Sequence, residues 1–195
     1  VDRGLWGEAA DLVTDAGSIE IGLDGVYVGK ARIREYLQRL HGGQEGLVYG
    51  QLNEWVTLQP SVFMARDGQS ATARWRDHGM LGQYKKHAEW RDGIYENTYV
   101  KDDGVWKIDS LHLYVNFVAP YEKGWARLKP GDGLVQSEAS RAFPPDRGPT
   151  ATGPAAAPAV SGATSGGTSA APLTSSSCCA GRPSQPSCSS SVYAR

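Results

Sequence analysis

Residues 93–108 read GIYENTYVKDDGVWKI, two runs of alternating apolar and polar side chains joined by DDG. Alternation with a period of two marks half-buried strands, and Asp-Gly between two such runs marks a hairpin. The stretch therefore predicts two long paired strands, residues 89–101 and 105–117. A three-residue DDG loop, with Gly104 as its left-handed residue, pairs Lys101 with Val105. Continued along the ladder, it pairs Val100 with Trp106, Thr98 with Ile108, Glu96 with Ser110 and Ile94 with His112. One face then carries Ile94, Glu96, Thr98, Val100, Trp106, Ile108, Ser110, His112 and Tyr114. The other carries Tyr95, Asn97, Tyr99, Lys101, Lys107, Asp109, Leu111, Leu113 and Val115. Glu96 and His112 become diagonal neighbours, about 7–8 Å apart at the backbone. A two-residue DG loop would instead put them on opposite faces. The three-residue loop is the expected register.

The first face has the mixture of a ligand pocket, apolar walls with a few convergent polar groups. A carboxyl group among Trp and Ile side chains is desolvated, which raises its pKa toward the range of a general acid or base. His112 would orient it or share its proton. The structural alternative is that Glu96 bonds Ser110 or a helix end and merely satisfies a buried polar position.

Working outward, residues 3–15 carry Trp6, Ala9, Ala10, Leu12 and Val13 at helical spacing. Short strands are expected at 18–21 and 26–28 around LDG, then a helix at 30–40 closed by HGG. Strands follow at 52–58, 62–65 and 71–76, and the GMLGQYKK segment between His78 and His87 reads as an exposed turn. His41, at a helix end, reads as a cation on the helix dipole. Two helices followed by a long antiparallel run define an α+β fold, a curved sheet wrapped around the helices.

Composition bounds the rest. Twenty-one acidic and 20 basic residues nearly cancel, so no field favours nucleic acid or an anionic membrane. No apolar run approaches the roughly 20 residues of a membrane span. All six Trp precede Pro130, whereas eight of the eleven Pro follow it. Residues 130–195, rich in Gly, Pro, Ala and Ser, are expected to be a disordered tail. The tail holds Cys178, Cys179 and Cys188, an odd set without His at zinc spacing, so neither a metal site nor a disulfide framework is expected. A cysteine-free folded part suits the cytoplasm. The chain starts on Val inside an apparent helix, so an upstream part of the domain is expected to be missing. No phosphate loop or nucleotide fingerprint is visible, and no cofactor is expected.

IEIGLDGVYVGKARIREYL and GIYENTYVKDDGVWKIDSLHLYVNFVAPYEKGW, with LWGEAADLV ahead of them, resemble the SnoaL-like, nuclear-transport-factor-2-like superfamily over nearly all of residues 2–127. The resemblance implies a cone-shaped α+β domain, here residues 1–129, with one deep apolar pocket and a homodimer through the outer sheet face. It implies cofactor-free lyase or isomerase chemistry in some members and plain binding in others, so the fold alone does not decide activity. In the dehydratases of this superfamily a pocket Asp precedes the first Trp-containing helix, a position matched by Asp2. Their catalytic His falls on the strand QLNEWVTLQ, where this chain has Trp55. The tyrosine ahead of that Asp is Val1 here, and a second pocket tyrosine falls near Gly22. A dehydratase Asp–His pair is therefore not reproduced. The expected site comprises Glu96 as base, His112 as its partner and Asp2 as a second acid. Trp55, Tyr27, Trp75, Trp106 and Tyr114 are its expected walls. The expected ligand is a small apolar or polycyclic carbonyl or hydroxy compound.

Overall fold

The computed structural model describes residues 3–129 and 132–150. Asp2 and most of the Ser- and Pro-rich tail lie outside the described residues. Helix α1 (Trp6–Asp11) leads into β1 (Val13–Ile21), a tight turn and β2 (Val26–Val28). Helix α2 (Lys30–Leu40) follows, then four long strands: β3 (Gln51–Met64), β4 (Ser70–Gln83), β5 (His87–Asp102) and β6 (Val105–Pro120). They make one curved, unclosed six-stranded sheet in the order β2-β1-β6-β5-β4-β3. The architecture is the expected α+β one. The sheet is mixed, however, because β1 runs parallel to β6.

Three boundaries differ from expectation. The first helix is shorter, and Val13 already belongs to β1. That strand absorbs an irregularity between Val13 and Ser18, where a Cβ on Gly17 would lie 2.5 Å from Val13. β3 continues through Pro60 by a bulge that leaves Gln59 at φ 50°, which an unpaired edge strand tolerates. Residues 79–83 are strand rather than turn, with the reversal falling at residues 84–86.

The central hairpin corrects the predicted register and explains its consequence. Asp102 pairs with Val105, so the loop is the two-residue Asp103–Gly104, both left-handed (φ 48° and 80°). That geometry matches the right-handed twist of the strands. Farther along, Tyr99 pairs with Ile108 but Thr98 with Ser110, so Asp109 is an extra residue on β6. This bulge shifts the register by one, and Glu96 ends directly opposite His112. Trp106, paired with Lys101, therefore leaves the face of Glu96 and stands half-exposed near the hairpin tip.

The core identifies the inner face. Trp6, Ala10, Val13, Ile19, Tyr27, Ile33, Tyr36 and Leu37 form one buried cluster, against which Ile108 and Leu111 pack. Ile19 pairs with both Tyr27 and Leu111, so these residues share the face that the helices cover. Glu20 and His112, the next pair along, point the other way.

Residues 132–150, beyond the boundary placed at 129, pack on this core. A short helix α3 (Glu138–Ala142) is capped by Ser137, and the Tyr27 hydroxyl donates to the Phe143 carbonyl (2.7 Å). Val26 donates to the Arg147 carbonyl (2.8 Å), extending the β2 edge. The aromatic and charged residues Phe143, Asp146 and Arg147, set within a Pro- and Gly-rich run, make these anchors.

Candidate active site

Alternation along β3–β6 lays the inner face out in rows. One row is Trp75–Tyr95–Leu113, the next Asp77–Gly93–Val115, then Trp55–Gly79–Arg91–Val118 and Asn53–Leu81–Glu89–Pro120. A cavity of about 540 Å³ opens on this face. Its floor includes Leu81, Glu89, Arg91, Val115 and Val118, and its rim includes Leu40, His41, residues 21–24 and Leu134–Val135.

The distinctive residue of these rows is Asp77. Its side chain is fully buried, and neither carboxylate oxygen has a hydrogen-bond partner. Desolvation pushes its pKa up to about 6; Arg91 opposes the rise and the Asp92 charge adds to it. A buried carboxylate normally recruits donors, which sets Asp77 apart from the other buried acids Asp24, Asp92 and Glu20. Other buried polar atoms without a hydrogen-bond partner are Arg91 Nε, Trp75 Nε1, Trp6 Nε1, Arg34 Nε, Asn97 Oδ1 and His112 Nε2. The Arg91 guanidinium lies over the Trp55 ring, 5.3 Å from its centroid. Trp55 in turn donates to Asn53 Oδ1 (3.0 Å). Gly79 makes room for this stack, since a Cβ there would meet the Trp55 ring at 3.0 Å.

His41 is not the solvated cation expected from its position after α2. Its ring stacks on Trp6 with centroids 3.6 Å apart. Burial, helped by the positive charge of Arg91, pushes its pKa down to about 4. A depressed histidine stabilises the fold in its neutral form, fully above about pH 6.5, and that contribution is lost as pH falls toward 4. An NMR titration of His41 should have its midpoint near 4. A midpoint near 6.5 would mean that the ring is solvated and the stack absent.

The expected acid/base pair sits elsewhere. Glu96 and His112 do share a face, but it is the outer one, away from the helices. There His112 lies 3.5 Å from Glu20, without hydrogen-bond alignment, and stacks on Tyr114 at 3.7 Å. Burial holds the His112 pKa below the usual value, against the pull of Glu20 and Glu96. Glu96 lies 3.7 Å from Arg74, and Glu20 accepts bonds from the Thr150 amide and hydroxyl (2.7 and 2.8 Å). The alternation put Glu96 and His112 on the pocket face with Trp106 and Ile108; the bulge at Asp109 keeps Glu96 and His112 together but moves Trp106 and Ile108 to the opposite, inner face. Among the expected walls, Trp55 and Trp75 lie on the inner face but do not line the cavity. Tyr27 is core, stacked on Tyr36 (3.9 Å). Tyr114 belongs to the outer cluster, although its atoms also border the cavity. Asp77 and Arg91 are visible in the sequence as polar residues alternating with Trp75 and Trp90, a weak signal on its own. Among the described residues no group of three His, Cys, Asp or Glu side chains is arranged to hold a metal, and no helix is long and apolar enough to cross a membrane.

The curved sheet, the helices on one face and the cavity between them define a cone-type α+β domain. The chain belongs to the SnoaL-like domain family, whose sequence profile matches residues 1–112. No curated protein sequence matches it. Its structure is similar to that of a candidate scytalone dehydratase from Novosphingobium aromaticivorans, with 15% identity and TM-score 0.51, covering 68% of this chain and 82% of that one. It is also similar to ActVI-ORFA from Streptomyces coelicolor, with 17% identity and TM-score 0.48, covering 57% and 82%. A third is the hexachlorocyclohexane dehydrochlorinase LinA-type3 from Novosphingobium barchaimii, with 15% identity and TM-score 0.48, covering 59% and 75%. At these identities the likeness is one of fold.

Proposed function

We propose that the chain is a cofactor-free acid/base enzyme, of isomerase, dehydratase or cyclase type, acting on a small apolar or polycyclic carbonyl or hydroxy compound. The supporting observation is Asp77, a wholly buried carboxylate with two unpartnered oxygens beside Arg91. The ionised carboxylate takes a proton from carbon next to a carbonyl, and the electron pair moves onto the carbonyl oxygen as an enolate. The Arg91 side chain, drawn onto that oxygen, stabilises the developing charge in a site of low dielectric. Return of the proton to another carbon gives isomerisation; in dehydration the enolate electrons form the C=C as the neighbouring C–O bond breaks, and the hydroxyl leaves as water with the proton that Asp77 holds. A pKa near 6 keeps Asp77 both largely ionised at neutral pH and basic enough to compete for the proton. This reading moves the base from Glu96 to Asp77 and leaves His112 outside the chemistry.

The test is deuterium exchange. In D₂O, NMR should show the parent protein accelerating exchange next to the carbonyl of 2-tetralone, and Asp77→Asn losing on the order of a hundredfold of that acceleration. Equal rates for the two proteins would sink the assignment of the base.

A second reading, a non-catalytic binding or dimerisation module, draws on the outer face. Leu52, Leu58 and Phe63 stand exposed there, 47%, 47% and 69% accessible. A homodimer through that face would cover them, and is compatible with either role for the cavity.

A further inference from the structure

The cavity of a simple apolar binder should not hold an unpaired guanidinium, yet Arg91 forms no ion pair among the described residues. Its Nε–H is buried without an acceptor, and its flat face rests on Trp55. Of the unpartnered acceptors, Asp77 lies diagonal to Arg91 on the neighbouring strand. A buried donor left unmet costs about 1–3 kcal/mol, and Arg91 is the one of these groups that lines the cavity. Arginine, rather than lysine, suits a planar, charge-delocalised partner, because its fork donates in plane while its face stacks.

We propose that Arg91, held flat against Trp55 at the cavity wall, is the receptor for an anionic oxygen carried on a flat ring. The proposal rests on the cavity being the ligand site of the enzyme described above, and it names the ligand class of that site. The anionic oxygen is a carboxylate or a phenolate-type oxygen, and both present the same charge to the Arg91 fork. Of the charged and titratable groups about Arg91, Asp77 lies on the neighbouring strand and Glu89 on its own. His41, neutral above about pH 4, comes from the end of α2, Asp24 from the β1–β2 turn, and Asp92 is adjacent in the chain. An anion bound beside Asp77 favours the protonated form of that carboxyl. Binding therefore takes up a proton and tightens as pH falls from 8 toward 6.

The probes are 2-naphthoate, 2,4-dinitro-1-naphtholate and the neutral 2-naphthamide, titrated against the full chain by quenching of tryptophan fluorescence. At least one of the two anions should bind tenfold or more tightly than the amide. Arg91→Gln should remove that preference, and Arg91→Lys, which keeps the charge but loses the fork, should restore it only in part. Arg74→Gln, on the outer face, should leave it intact, and each variant's circular dichroism melt separates lost binding from lost fold. Naphthoate alone binding identifies the carboxylate class, and naphtholate alone the phenolate class. Equal binding of the amide, or a preference that survives Arg91→Gln, overturns the proposal. Failure of the catalytic reading looks different: anion preference persists while Asp77→Asn exchanges deuterium as fast as the parent.

Discussion

Replacing Asp77 by asparagine is expected to shift stability in the variant's favour as pH rises. The folded state holds the Asp77 pKa near 6, whereas the unfolded chain returns it to about 3.9. Because the folded pKa is the higher one, the ionised carboxylate is penalised in the fold. That penalty is absent below about pH 4, grows as pH rises through the interval between 4 and 6, and is complete above it. Asparagine has nearly the same shape and no charge, so it carries its own cost of an unpaired buried amide at every pH. The informative quantity is therefore the difference between the proteins as a function of pH. Between pH 4 and pH 8 it should move by about 1–2 kcal/mol toward the variant, less than the full shift implies because side-chain and water relaxation around the charge offset part of it. In a chain of this size the movement is roughly 3–6 °C in melting temperature. Thermal denaturation monitored by circular dichroism across that range measures it directly. A constant offset at every pH would mean that burial does not perturb this carboxyl, and the tuned base would lose its physical support. A variant stabilised at neutral pH yet inactive in deuterium exchange would show a residue kept at a cost to the fold.

The sequence carried more of the architecture than of the site, for local reasons. Alternation in IYENTYV and VWKIDSLHLYV, with Asp-Gly between, was sufficient to predict the hairpin and the long strands. The spacing of Ile33, Tyr36 and Leu37 likewise predicted α2 and its buried side. Side-chain period gives faces, however, and one bulge exchanges them. Asp109 is an exposed aspartate with nothing in its type to mark it as the extra residue, and it alone decides that Leu111 and Leu113 face the helices while His112 does not. The same limit hid Asp77. In ARWRDHGML the pattern offers Trp75 as the apolar position, and Asp77 two residues on breaks the rule that buried positions are apolar. Such a local violation is expected where function has overridden packing. His41 was misread for a different reason: a helix end suggests a dipole, but its stack on Trp6 depends on a tertiary contact across 35 positions, 41 minus 6. Residues 132–150 were misjudged because composition averages over a long window, whereas a few anchors such as Ser137 and Phe143 are enough to hold a segment to the core.

Removing the carboxylate of Asp24 should cost about 2–4 kcal/mol, because several buried donors lose their acceptor together. Asp24 is 3% accessible and joins three parts of the fold. Its Oδ2 accepts the Tyr36 hydroxyl from α2 at 2.7 Å, while its Oδ1 accepts the Ser137 amide at 2.6 Å. The Ser137 hydroxyl also donates to it, and its carbonyl accepts the Ser140 hydroxyl at 2.7 Å. Burial, the Asp24 charge and this hydrogen bond push the Tyr36 pKa far above its usual value, so the phenol stays a donor. In Asp24→Ala the Tyr36 hydroxyl and the Ser137 amide lose their acceptor at once. Urea unfolding should show the lower midpoint, and Asp24→Asn should recover part of it, since one amide oxygen replaces two carboxylate oxygens. The double-mutant cycle with Ser137→Ala should give a coupling of roughly 1–2 kcal/mol, because both changes remove the same contact. The consequence reaches the cavity. Ser137 follows Leu134 and Val135, which border it, so releasing this clasp should loosen one rim while leaving Asp77 and Arg91 in place on the sheet. Probe binding by Asp24→Ala should then weaken with its preference for anions preserved. Additive free energies in the cycle would mean that Asp24 and Ser137 act independently, and that residues 132–150 are held by their other contacts, those of Ser140, Phe143, Arg147 and Thr150.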